Sequence, residues 1–158
     1  MNLSKIFKNA LLVMLASLVL TACATKKVQN QMQGDVYTGT DTVKYLASGV
    51  ADRVFFATNE SVLTTASRDT LRKQAEWLRK NSKINVVLEG HADERGTREY
   101  NLALGERRAN AAKDYLMTYG ISANRISVIS YGKERPVDSG SNPLAWSNNR
   151  RSVTVKAN

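Results

Sequence analysis

Two charged residues lie where an apolar fold would otherwise stay dry. Asp93 ends the run Leu88-Glu89-Gly90-His91-Ala92-Asp93. Arg108 follows fifteen positions later, in Leu104-Gly105-Glu106-Arg107-Arg108-Ala109. Unpaired buried charge is costly, so each must meet a partner or a ligand. An arginine offers a planar fork suited to a carboxylate, and an aspartate accepts from an amine. A ligand carrying both an amine and a carboxylate would satisfy the two together. The alternative on spacing alone is an internal Asp93–Arg108 salt bridge that tethers a helix to a loop.

Other chemistry finds little support. His91 is the only histidine and Cys23 the only cysteine, with Glu89, Asp93 and Glu94 as the nearby acids. A zinc site needs three or four ligands with His or Cys among them, so no metal or other cofactor is expected and His91 reads as orienting a strand end. Asp93 and Glu94 are adjacent and need not face each other as a hydrolytic carboxylate pair. The chain has no Gly-rich phosphate loop and no serine nucleophile elbow. Trp77 reads as a core-edge residue. Trp146 is balanced between core and ligand stacking.

The elements that must position Asp93 and Arg108 read as follows. Thr42 to Ser48 has the pattern of a short helix closed by Gly49. Residues 53–57 read as a strand, rich in aromatic and β-branched side chains. Residues 66–80 read as a helix, with Leu71, Ala75 and Leu78 on one stripe. Residues 84–89 are a strand, apolar on both faces and so central in a sheet. Thr97 caps a long helix reaching Tyr119, terminated by Gly120. Its apolar stripe is Leu104, Arg108, Ala111 and Tyr115, which places Arg108 inward. Residues 125–131 form a third strand. Asn142-Pro143 opens a short helix to about Asn148. Residues 151–156 are the last strand, Val153 and Val155 alternating with Ser152 and Thr154. Strands alternating with helices predict an α/β (α+β) sandwich around one sheet.

The N-terminus is of a different kind. Lys5 and Lys8 precede an apolar run, Ala10 to Leu20, which leads into Leu20-Thr21-Ala22-Cys23. A basic region, an apolar run of this length and small residues at its end read as a secretory signal. A spanning helix would need about 20 apolar residues. The Leu-Thr-Ala-Cys ending resembles the lipobox of bacterial lipoproteins. That resemblance implies cleavage before Cys23 and a lipid on it, and Ala24 in place of an aspartate leans towards the outer membrane. Complete acylation would anchor the chain stably. Residues 1–22 are thus read as leader, 23–40 as lipidated cysteine and flexible tether, and 41–158 as one domain. About 17 flexible residues span roughly 20–25 Å.

Beyond the leader remain 21 basic and 14 acidic residues, a net charge of +7. A basic surface favours anionic partners. A secreted, lipid-anchored chain does not meet nucleic acid, so anionic envelope polymers are the expected ones.

The run Leu88-Glu89-Gly90-His91-Ala92-Asp93-Glu94-Arg95-Gly96-Thr97, then Glu99-Tyr100-Asn101, then Leu104 to Ala111, resembles the signature of the OmpA-like peptidoglycan-binding domain. Ser130 to Pro136 and Asn148 to Val153 agree with it. The resemblance covers roughly residues 50–158. It implies a βαβαβ(α)β domain whose single mixed sheet packs against helices. It also implies a non-catalytic anchor gripping meso-diaminopimelate of the peptidoglycan stem peptide, a residue that keeps a free amine and carboxylate. Carried over by position, Asp93 takes the ligand ammonium and Arg108 a carboxylate. Asn101, Thr97 and the backbone at Phe56 and Ala57 complete the hydrogen bonds. Asn59 and one of Arg150 and Arg151 sit at the rim. The first strand of this family often ends in acidic residues, where this chain has Ala57 and Asn59, so those side chains are not expected to bind as charges.

Lipoproteins with this domain imply further partners: the outer membrane, the periplasmic β-propeller protein of the Tol system and other Tol proteins. In such proteins the β-propeller and the wall compete for overlapping surface. Two other classes stay open on the residues alone. One is an envelope hydrolase using His91 and Glu94. The other is a protein-docking module with an internal Asp93–Arg108 pair.

Overall fold

A computed structural model describes residues 45–157. The residues expected to form a leader, the lipidated Cys23 and a tether therefore lie outside the described residues.

The chain enters as a hairpin. β1 (Tyr45–Ala47) pairs antiparallel with β2 (Val50–Ala51), and Gly49 turns between them at φ +72°. The short helix expected over Thr42 to Ser48 is thus corrected for its described part. Seven residues are too few to nucleate a helix without tertiary support. A glycine with positive φ serves a hairpin turn as readily as a helix end.

β3 (Arg53–Phe55) follows, and Phe56 extends its pairing through a 2.9 Å bond from its N–H to the Arg150 carbonyl. α1 (Thr65–Lys80) starts at Thr64, whose side chain accepts from the Ser67 N–H, and stops at Asn81, whose side-chain amide donates to the Trp77 carbonyl. Leu71, Ala75 and Leu78 form its buried stripe as expected, joined by Gln74. Trp77 is half-buried and packs against the core, as a core-edge residue should.

β4 (Val86–His91) leads into α2 (Arg98–Thr118), capped by Thr97 and ended at Gly120 with φ +84°. A single 3-10 turn (Ala123–Arg125) enters β5 (Ile126–Gly132). α3 (Pro143–Asn149) is capped by Asn142, and β6 (Arg151–Lys156) closes the domain.

The main sheet has the order β3-β6-β4-β5. Only β4 and β5 run parallel, and α2 is the crossover between them. The sheet is therefore mixed, as the fold expectation required, with β4 central as its two apolar faces implied and β6 central beside it. α1 and α2 bury Leu71, Leu78, Ala109, Ala112 and Leu116 against Val54, Phe56, Val86 and Leu88. The phase of α2 differs slightly from the stripe read off the sequence. Ala112 and Leu116 are buried, while Ala111 and Tyr115 are half-buried.

The last strand turns its polar positions towards the helices. The register sets Val54 against Ser152 and Leu88 against Thr154, so these small polar residues share the helix side. Thr154 Oγ1 donates to Gln74 Oε1 at 2.7 Å, and Gln74 Nε2 donates to the Ala51 carbonyl at 2.7 Å. Buried polar groups satisfied in this way carry little penalty. Val153 and Val155 take the opposite face.

α2 crosses β4 at two glycines. A Cβ on Gly90 would lie 1.8 Å from the Gly105 carbonyl oxygen, and a Cβ on Gly105 would lie 2.9 Å from the Gly90 carbonyl oxygen. Neither backbone can yield without moving the helix that carries Arg108. Gly90→Ala is expected to destabilise the domain by about 3 kcal/mol, the upper range for overpacking. Thermal melts check this. A Tm within two degrees of the parent would show that the helix has room to shift.

Candidate functional site

The site forms where two loops and the start of α2 meet at one end of the sheet. Thr58, Asn59, Asp93, Arg95, Gly96, Tyr100, Asn101 and Leu104 line a cavity of about 250 Å³. The turn after β3 supplies Thr58 and Asn59. Asn59 holds φ +61°, a left-handed conformation that asparagine tolerates better than most residues. The segment after β4 supplies Asp93 to Gly96, and the first turns of α2 supply the rest.

Asp93 sits two residues past β4 and is buried. Its Oδ1 accepts from Arg95 Nε at 3.0 Å and from the Arg95 backbone N–H at 3.1 Å. Its Oδ2 accepts from Arg95 Nη2 at 2.7 Å and from Arg150 Nη1 at 3.4 Å. Burial raises the pKa of this carboxyl. The hydrogen bonds and charge of Arg95, with help from Arg150, outweigh burial and hold it below the ordinary aspartate range. The group is therefore an anion at neutral pH.

Arg108 is fully buried. Its Nε donates to the Glu60 carbonyl at 2.8 Å, Nη1 to the His91 carbonyl at 2.9 Å and Nη2 to the Ala57 carbonyl at 3.0 Å. One guanidinium thus stitches the turn after β3 to the end of β4, with the Phe56 ring 5.3 Å beneath it. Burial, and then the neighbouring Arg150 charge, lower its pKa to about 10, so it stays cationic at neutral pH. The direct Asp93–Arg108 pair weighed as an internal tether does not form. Asp93 pairs instead with Arg95 and Arg150.

The remaining expected residues divide by position. Asn101 is buried at the cavity wall, and its side-chain amide donates to the Arg95 carbonyl at 2.9 Å. Asn59 lines the rim. Thr97 spends its hydroxyl oxygen capping α2, accepting from the Tyr100 N–H at 3.2 Å. The Phe56 carbonyl accepts from Arg150 Nε at 3.1 Å, and the Ala57 carbonyl accepts from Arg108. Arg150 lies buried beside Asp93. Arg151 opens β6 on the other face of the sheet, where it donates to the Asn149 and Arg135 carbonyls.

Arg95 is the residue that spacing did not single out. Its side chain is 42% exposed and lies over the Trp146 ring at 4.3 Å. Trp146 Nε1 donates to Glu94 Oε1 at 2.9 Å, and Ser141 Oγ donates to Glu94 Oε2 at 3.0 Å. These two donors pull the Glu94 carboxyl below its ordinary range. Lys133 Nζ donates to the Gly96 carbonyl at 2.8 Å and to the Glu94 carbonyl at 3.2 Å, which pins the 94–97 loop from the far side. Among the described residues no three His, Cys, Asp or Glu side chains come together as a metal site.

The mixed sheet, its βαβ unit and the cavity at the β4–α2 junction define an OmpA-type domain. The OmpA family matches residues 55–150. The chain is 42% identical over 150 residues to the peptidoglycan-associated lipoprotein of Mesorhizobium japonicum, covering 92% of this chain and 89% of that one. It is 45% identical over 144 residues to that of Brucella melitensis, covering 88% and 86%. The crystal structure of the peptidoglycan-associated lipoprotein from Burkholderia pseudomallei superposes with a TM-score of 0.65 at 33% identity, over 67% of this chain and 90% of that one. The C-terminal domain of Helicobacter pylori MotB shares the fold alone, with a TM-score of 0.63 at 18% identity over 68% of this chain and 84% of that one. The chain belongs to the OmpA family and, within it, to the peptidoglycan-associated lipoproteins.

Proposed function

We propose that the domain is a non-catalytic wall anchor that binds the diaminopimelate residue of peptidoglycan stem peptides. The observation that carries the reading is the cavity, where a buried carboxylate held ionised stands beside guanidinium groups. A zwitterionic side-chain end matches that arrangement. Asp93 accepts from the ligand ammonium. Arg108 favours the ligand carboxylate by its charge from behind the wall and holds the 57–60 turn in place. Asn101, Asn59, Thr97, Arg150 and the backbone at Phe56 and Ala57 shape and position the site. Arg151 supports it from the other side of the sheet.

A lipid on Cys23 would fix the far end of the chain in the outer membrane, facing the periplasm. The protein would then tether that membrane to the wall and serve envelope integrity and cell division within the Tol system. The system's periplasmic β-propeller protein and its other members would be the protein partners. Each charge-assisted hydrogen bond contributes about 1.5–3 kcal/mol at best. Ordering and desolvation reduce the sum. Many weak grips along one polymer still hold a membrane-anchored protein through effective concentration.

Calorimetric titration of the chain in mild detergent tests the reading. A diaminopimelate stem peptide should give saturable heat, and the lysine analogue, which lacks the second carboxylate, should bind far more weakly. Asp93→Asn should weaken the first peptide roughly tenfold to hundredfold, the worth of one charge-assisted bond. Equal binding of the two peptides by the parent chain would defeat the diaminopimelate assignment.

A further inference from the structure

The carboxylate assigned to the ligand ammonium is already occupied by a cation of the chain itself. Arg95 meets both Asp93 oxygens, through Nε at 3.0 Å and Nη2 at 2.7 Å. Arg95 also lines the cavity. The ligand and this guanidinium therefore need the same oxygens.

The three arginines around Asp93 differ in their freedom. Arg108 is fully buried and bonds three carbonyls, and the Arg150 side chain is 4% exposed and bonds the Phe56 carbonyl. Neither can leave without unbonding buried backbone. The Arg95 side chain is 42% exposed, and its links away from Asp93 include the face of Trp146 and a 3.4 Å contact with Thr58 Oγ1. A guanidinium stacked on an aromatic face can slide along it while keeping most of that attraction. Trp146 is itself fixed by Glu94, so it serves as a rail at the cavity mouth.

We infer that Arg95 is a built-in counter-ion which a zwitterionic ligand exchanges: the ligand's ammonium takes Asp93, and its carboxylate takes the guanidinium so released. The inference rests on the wall-anchor reading above and deepens it by naming the residue that sets selectivity. An amine without a carboxylate must break a two-point pair and gives Arg95 nothing in return. A ligand with both groups replaces one internal pair with two external ones. Selectivity for the zwitterion then comes from an internal competitor that penalises the wrong ligand as well as from attraction to the right one.

The test titrates the full chain in detergent with three soluble stem tripeptides. They end in meso-diaminopimelate, in its side-chain amide, and in lysine. The parent chain should prefer the first. Arg95→Ala should bind the amide and lysine peptides at least about tenfold more tightly than the parent does, so that the preference collapses. Arg95→Lys, which restores a cation without the fork, should recover part of the preference. Matching thermal melts of the three chains exclude a folding effect. An unchanged preference in Arg95→Ala would overturn the exchange. Equal loss of all three peptides would also overturn it, by making Arg95 an ordinary contact. Failure of the parent chain to bind any of the three would remove the wall-binding reading itself and this inference with it.

Discussion

Arg108→Met is expected to lose about 3–5 kcal/mol of stability, the cost of removing one side of a buried charged hydrogen-bond set. The carbonyls of Ala57, Glu60 and His91 would lose their shared donor at once. In a domain of this size that corresponds to a fall in Tm of roughly 12–20 °C. The effect is one of geometry as well as charge. A planar fork can meet three carbonyls from one turn and one strand end, and a single ammonium on a flexible stem cannot hold the same three directions. Arg108→Lys should therefore recover less than half of the loss. Thermal melts of the three chains decide the matter, and full recovery by lysine would show that only the charge counts. Binding measured well below the melting range should weaken in both variants, because the 57–60 turn carries Thr58 and Asn59 into the cavity.

This behaviour shows where sequence reading stops. The inward place of Arg108 follows from helical spacing, because Leu104 and Arg108 are one turn apart. Its partners lie up to fifty-one positions away in the chain and are backbone carbonyls, which no side-chain pattern records. Asp93 was legible because it follows an apolar strand. Its partner Arg95 was hidden in plain view, since an arginine two residues from an aspartate in a polar loop usually reads as solvated charge. Here Trp146 brings a second surface to Arg95 from fifty-one positions further along, and that contact depends on the packing of α3.

Other differences have similar causes. The hairpin at Gly49 and the helix end at Gly120 share one signal, a glycine of positive φ, and only the length of the preceding segment separates them. Arg150 and Arg151 are neighbours in sequence, yet strand parity sends them to different faces. The choice between them needed the register of β6 with β3. In β6 the alternation of Val153 and Val155 with Ser152 and Thr154 is legible, and which set faces the helices is not. Gln74, a polar residue on an otherwise apolar helical stripe, was the available sign that something polar would face it. The mixed sheet and the β4–α2–β5 unit needed no such information. Apolar strands on either side of a long capped helix leave few other arrangements.

His91 gives the second large effect, and it appears in acid. Neither ring nitrogen has a partner at ordinary hydrogen-bond geometry, only the Arg135 backbone lying close enough to favour the charged ring weakly, and the ring is 2% exposed beside Tyr131. The charged groups facing it are Arg151, Arg53 and Arg135, with Glu89 the one opposing charge, 3.9 Å from Nε2. Burial first, and then these arginines, lower the pKa from 6.5 to about 3, against a weak opposing effect of the Arg135 backbone. The unfolded chain therefore takes up a proton between these values that the folded chain refuses. Stability is fully present above about 6.5 and is lost as pH falls towards 3, at up to about 1.4 kcal/mol per pH unit. By pH 4 the loss should reach about 3 kcal/mol. The Asp93 carboxyl acts in the same direction but only nearer its own ordinary range of about 3.9 and below. Between pH 6.5 and 4.5 the slope therefore belongs mainly to His91. His91→Phe keeps a flat ring against Tyr131, gives up only the weak Arg135 backbone interaction and cannot titrate. Its stability at pH 7 should lie within about 1.5 kcal/mol of the parent, as volume-conserving swaps do. Denaturant unfolding at intervals from pH 7 to pH 4 should show the parent falling away from the variant across that range. Parallel curves for the two chains would mean that the histidine finds a partner for its proton inside the fold, and that its arginine neighbours do not set its charge.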